Sequence, residues 1–162
     1  MIRVATPADF DQIWPIFHDV VSQGDTYVYD PSTPKSLAFD IWMNRPIQTF
    51  VFEHTDGTIL GTYYLKENRP DLGSHICRCG FMVSSNVRRQ RIGEQMCEHS
   101  FKIAKEFGFR GMQLGYVVST NLPSVQLWLK MGFQHVGTVP QAFAHRTLGD
   151  VDVFIMYRSL TN

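Results

Sequence analysis

The stretch from His75 to Val118 restricts the fold more than any other part of this chain. A strand-length apolar run, His75 to Val83, leads through the polar, basic segment Ser84 to Arg91 into a long helical pattern. That pattern carries Ile92, Met96, Phe101, Ile103, Ala104 and Phe107 on an apolar stripe, stops at Gly108, and is followed by a second strand-length run, Gly111 to Val118. A helix of that length inserted between two strands predicts a parallel pair closed by a right-handed crossover, which excludes an all-antiparallel sheet.

The flanking segments add antiparallel strands and more helices. Ile2 to Ala5 reads as a short strand, and Thr6-Pro7-Ala8-Asp9 supplies a helix start for the stripe Phe10, Ile13, Phe17 and Val20 or Val21, which ends by Gly24. A second helix is expected over residues 34–44. Thr49 to Glu53 and Ile59 to Lys66 flank Thr55-Asp56-Gly57-Thr58, a hairpin signal, and a second turn over Asn68 to Ser74 joins them to the strand from His75. Ser124 to Met131 reads as a short helix, and Phe133 to Val139 and Val151 to Tyr157 as the last strands. The sum is one α+β (mixed α/β) domain over residues 1–162, built on a central, mostly antiparallel sheet of six to seven strands with helices on both faces.

Composition narrows the function. Lys plus Arg and Asp plus Glu are 15 each, so no global field draws in a polyanion, and neither a nucleic-acid nor a membrane-surface partner is expected. Three cysteines, Cys77, Cys79 and Cys97, are too few and too uneven for a disulfide framework, and no apolar run approaches a membrane span. A cytoplasmic location is the reading that follows. His75, Cys77 and Cys79 share one strand face, but same-face neighbours stand roughly 7 Å apart, too far for an undistorted tetrahedral zinc site, so no metal is expected.

The segment Val83 to Glu94 sits where a strand ends and a helix begins. Unpaired N–H groups and a positive helix end favour a phosphate there, and Arg88, Arg89 and Arg91 add charge. On spacing alone, the same three arginines suit a solvated helix start equally well.

Arg88-x-x-Arg91-x-Gly93 resembles the pyrophosphate loop of the GNAT superfamily, and the Phe81-Met82-Val83 that precedes it resembles the family's strand ending. Asn121-x-x-Ser124-x-x-Leu127-Trp128-x-x-x-Gly132-Phe133, about thirty residues on, is similar to the family's second motif. The resemblance implies an acyl-CoA, acetyl-CoA above all, held along a splayed strand pair ending near Val83 and Val118. It puts amides near Met82 and Val83 at the pantetheine and thioester, amides of Arg88, Arg89, Gln90, Arg91, Ile92, Gly93 and Glu94 at the pyrophosphate, and Asn121 and Ser124 beside the pantetheine arm. Two departures stand out. Arg91 takes the place of the loop's first Gly, and Trp128 that of the Tyr thought to protonate the leaving thiolate.

The family's usual Glu base is also absent, since the strand reads His75-Ile76-Cys77-Arg78-Cys79-Gly80-Phe81. Asn121, Arg78 and His75 are the catalytic candidates: Asn121 to orient the nucleophile, Arg78 to hold a substrate carboxylate, His75 as base. Tyr27, Tyr29 and Asp30, on the loop that in this family covers the acceptor, are candidates for acceptor recognition together with Arg78 and His145. The spelling around Asp25 to Asp30 and Val151 to Tyr157 is similar to the subgroup acting on amino acids and their analogues, which implies a small-molecule amine acceptor, with a homodimer permitted. A non-catalytic acyl-CoA sensor and a protein Lys or N-terminal acetyltransferase are the competing readings.

Overall fold

A computed structural model describes residues 1–87 and 90–161 of the chain. Its elements run β1 (Ile2–Val4), α1 (Phe10–Ser22), α2 (Lys35–Phe39), β2 (Gln48–Glu53), β3 (Ile59–Glu67), β4 (Ile76–Val83), α3 (Ile92–Glu106), β5 (Gly111–Val118), α4 (Leu122–Lys130), β6 (Gln134–His145) and β7 (Gly149–Ser159). The strands form one seven-stranded sheet in the order β1-β2-β3-β4-β5-β7-β6. Among the described residues only β4 and β5 pair in parallel, as the α3 crossover requires.

The alternation of β4 divides its side chains between two cores. Cys77 and Cys79 pack with Met96, Cys97 and Ala104 of α3 and with Trp128 of α4. Met82 lies on the opposite face, with Ile13 and Phe17 of α1, Trp42, and Tyr64 of β3. Burying apolar stripes on both faces is what holds the helices to the sheet, at roughly 25 cal/mol per Å² removed from water.

Two segments differ from the sequence expectation. The helix expected over residues 34–44 is α2 plus one wide π turn, Asp40–Asn44, which carries Trp42 wholly into the core, where its indole N–H donates to Thr62 Oγ1 at 3.0 Å. The last two strands are longer than expected and meet in a hairpin over residues 146–148. Pro140 does not end β6 because it sits in a bulge between Val139 and Phe143, where the ladder asks for no N–H.

Candidate active site

The site arises where β4 stops pairing. On one side β4 pairs with β3 over seven residues, from Gly61 opposite Val83 to Glu67 opposite Cys77. On the other it pairs with β5 over only two, Ile76 opposite Gly111 and Cys77 opposite Met112, after which the strands diverge. A cleft of about 520 Å³ opens between them, bounded by Arg78 to Phe81 on one side, Gln113 to Val118 on the other, and Asn121, Ser124 and Trp128 of the α4 region.

The register decides which main-chain groups face the gap. Asn68 donates its N–H to the Ile76 carbonyl and Ser84 donates to the Leu60 carbonyl. In an antiparallel pair the bonded positions alternate, so Arg78, Gly80 and Met82 turn their main-chain groups to β3, whereas Cys79, Phe81 and Val83 turn theirs to the gap. This corrects the expectation for Met82: its amide faces β3, and the open N–H groups belong to its neighbours Phe81 and Val83. One open acceptor is already satisfied, because the hydroxyl of half-buried Tyr27 donates to the Phe81 carbonyl at 2.8 Å. Burial pushes the Tyr27 phenol well above its ordinary pKa, which keeps that donor protonated.

Beyond β4, the chain turns into α3. The first N–H groups of the helix, those of Ile92, Gly93 and Glu94, find no main-chain partner among the described residues, where the first bond into the helix runs from the Gln95 N–H to the Arg91 carbonyl. Arg91 itself is left-handed, with φ +53°, a conformation that costs a residue with a Cβ roughly 1 kcal/mol and explains why the family favours Gly there. Its exposed guanidinium bonds the Glu94 carboxylate, Nε to Oε2 at 2.7 Å, and Lys130 reaches the other oxygen. The bonds from Lys130 and then Arg91 hold Glu94 below the usual carboxylate range, and the pair of cations outweighs its charge, so the helix start stays electropositive. Arg88 and Arg89 lie outside the described residues, and Gln90 is exposed. Open main-chain groups along β4 followed by the first amides of α3 fit a cofactor that combines a peptide-like arm with a diphosphate.

Asn121 precedes α4, and its Nδ2 donates to Ser124 Oγ at 2.9 Å; both line the cleft. Trp128 packs against Phe81, ring centroids 5.1 Å apart, as a wall of the cleft. Cys79 touches the cleft too, but burial first and its neighbour Cys77 next push its thiol well above the ordinary value, which leaves it a poor nucleophile. Among the described residues, no group of three His, Cys, Asp or Glu side chains is placed to hold a metal.

At the far end, Tyr27 and Tyr29 stack at 5.9 Å and close the cleft together with Ile41 and Tyr64. Gly80 makes this possible: a Cβ there would meet the Tyr64 ring at 2.5 Å. Arg78 lines the same end, with a buried Nε that finds no hydrogen-bond partner among the described residues. Three candidates stand elsewhere. His75 is exposed at the foot of β4, His145 accepts the Thr147 and Leu148 N–H groups in the β6–β7 turn, and Asp30 is exposed and accepts from Ser32. None of the three lines the cleft.

The sequence reading missed Arg45, Lys66 and Arg69, which line the cleft beside Arg78. Counting outward from the turn over Asn68 to Ser74 pairs Lys66 with Arg78, so hairpin register was a signal for Lys66. Arg45 had none, because it reaches the cleft only through the packing of the α2 region.

Comparison with known proteins agrees with this geometry. The model of the Acetyltransferase (GNAT) family matches residues 13–133. The N-acetyltransferase aca1 of Schizosaccharomyces pombe is 34% identical over 85 residues, which are 52% of this chain and only 41% of that protein, so the chain spans well under half of that relative's length. A GCN5-related N-acetyltransferase from Kribbella flavida superposes with a TM-score of 0.93 at 39% identity, covering 98% of this chain and 96% of that one. An N-acetyltransferase from Staphylococcus aureus Mu50 is 25% identical with a TM-score of 0.85, covering 99% and 98%. The fold also matches yncA of Salmonella typhimurium, solved with its cofactor acetyl-CoA, at a TM-score of 0.88 and 20% identity over 100% and 94% of the two chains. With three-quarters of its length under the family model and a splayed β4–β5 pair at its centre, the chain belongs to the GNAT acetyltransferase family.

Proposed function

We propose that residues 1–162 form one N-acetyltransferase domain that moves an acetyl group from acetyl-CoA to the amine of a small molecule, an amino acid or an analogue, by direct attack in a ternary complex. The observation that carries this reading is the open main-chain edge of β4, which runs straight into a walled cleft of about 520 Å³, a volume suited to a small ligand rather than a protein surface. Acetyl-CoA supplies the activated acyl group. The Phe81 and Val83 N–H groups are the donors available to its carbonyl oxygen, the Ile92 to Glu94 amides and Arg91 to its diphosphate, and Asn121 and Ser124 to its amide-bearing arm. The acceptor nitrogen forms the new C–N bond as the C–S bond breaks, one amine proton is lost, and the sulfur leaves as thiolate.

No Asp or Glu lines the cleft among the described residues, so no carboxylate stands there as the base. The acceptor therefore reacts from the neutral fraction of its amine, which is larger the lower the amine's own pKa. Arg78, Tyr27 and Tyr29 are the acceptor-binding residues of this reading. It carries a cytoplasmic location, no nucleic-acid or membrane partner, and room for a homodimer; no helix of the described residues is long and apolar enough to cross a membrane.

The lack of a cleft carboxylate also favours a second reading, a non-catalytic acyl-CoA sensor. Thiol release separates the two. Acetyl-CoA incubated with a panel of amino acids is expected to liberate CoA, whereas binding of CoA by calorimetry without release from any amine would leave the sensor.

A further inference from the structure

Four cations line the acceptor end of the cleft: Arg45, Lys66, Arg69 and Arg78. They are concentrated there although the chain as a whole is neutral. Arg45 is already matched by Asp40, Nε to Oδ2 at 2.7 Å. Among the described residues the other three form no ion pair. Unpaired Lys and Arg are ordinary on an open surface, but Lys66 and Arg78 are half-buried, and the Arg78 Nε is buried with no hydrogen-bond partner among the described residues. Such a donor costs stability unless something outside the chain accepts from it.

The two side chains stand on directly opposite positions of β3 and β4, on the face turned to α1 and α2. Burial first, and then the charges of Arg78 and Arg45, lower the Lys66 pKa. The cationic wall also continues outward. A second hollow of about 310 Å³ shares Arg45, Lys66, Asn68, Arg69 and Arg78 with the cleft and adds one acid, Glu67. Setting Asp40 against Arg45 and Glu67 against one of the remaining three leaves two positive charges uncompensated.

Resting on the proposed function, we infer that the acceptor is a small amine bearing two acid groups, one at Arg78 inside the cleft and the other at Lys66 and Arg69 where cleft and hollow meet. A plain amino acid offers one carboxylate and leaves the outer cations unmatched. An aminodicarboxylate or an amino acid with a side-chain phosphonate satisfies both.

Matched acceptors test this. CoA release is followed with glutamate, aspartate and 2-amino-4-phosphonobutyrate against glutamine, asparagine and methionine, at low and raised salt. The expected result is a kcat/KM at least about tenfold higher for the diacids, as one charge-assisted bond provides, with the advantage shrinking as salt rises. In Lys66→Gln the ratio between diacid and neutral partner should fall toward one, while calorimetric CoA binding stays at the wild-type value. Turnover of the neutral partners as fast as the diacids would overturn the inference and leave the acetyltransferase reading standing. Absence of release from every amine would remove that reading and the inference with it. An unchanged ratio in Lys66→Gln would also count against the inference.

Discussion

The two edges of β4 differ sharply. Toward β3 the strand is paired along its whole length, and toward β5 it is paired for two residues and then abandoned. The first edge is structural: its N–H and C=O groups are satisfied, and its hairpin register sets which side chains face α3 and which face α1. The second edge is where chemistry is available, because its main-chain groups point into a gap instead of a neighbour. Tyr27 marks the boundary between these roles, since its hydroxyl takes the place of the missing β5 partner at Phe81. A cleft of this kind needs no excavation of the core; it needs only that pairing be broken off and that the exposed acceptor be satisfied from elsewhere.

The contrast predicts that the same chemical change has opposite effects on neighbouring residues. Replacing the amide at Val83 by an ester, which deletes one N–H facing the gap, should lower kcat by about a hundredfold, the usual loss when a donor to a developing oxyanion is removed. The same replacement at Met82 deletes an N–H facing β3 and should cost about 1 kcal/mol of stability while turnover is retained. Equal kinetic effects at both positions would erase the distinction between the edges. A smaller effect is expected from Tyr27→Phe, which keeps the ring stacked but leaves the Phe81 carbonyl unsatisfied: a loss in kcat/KM of about tenfold, with circular dichroism unchanged. If the ring alone mattered, Phe would behave as wild type and only Ala would fail. The smallest effect belongs to His75, exposed at the foot of β4 and outside the cleft lining, where His75→Gln should leave kcat unaltered and stability within about 0.5 kcal/mol.

The sequence revealed the second half of the molecule better than the first. A crossover helix between two strand-length runs dictates a parallel pair, and the helical patterns beginning at Ile92 and at Ser124 meet α3 at its first residue and α4 two residues after its start. Strand alternation likewise put Arg78 on the face opposite Cys77 and Cys79, which is where it lies. What could not be read was anything assembled from distant segments. Arg45 reaches the cleft through the π turn before it, and Tyr27 reaches Phe81 across 54 residues of sequence. His145 and Asp30 stand outside the cleft lining for a related reason: a polar residue in a loop carries no mark that distinguishes a ligand contact from a turn cap, and these two cap turns. Met82 was misassigned by one residue because parity along a strand, invisible until register is known, decides which way an amide points.

The left-open edge of β4 consists of peptide groups, and every amino acid except proline presents the same ones. Mutation can therefore rewrite the side chains on both faces of that strand without touching what the gap offers, provided the crossover keeps the two strands apart at the same point. Lineages descending from one such scaffold are free to lose nearly all recognisable spelling and still share its shape, and to explore new acceptors by trading residues like Lys66 and Arg78 while the other half of the reaction stays in place.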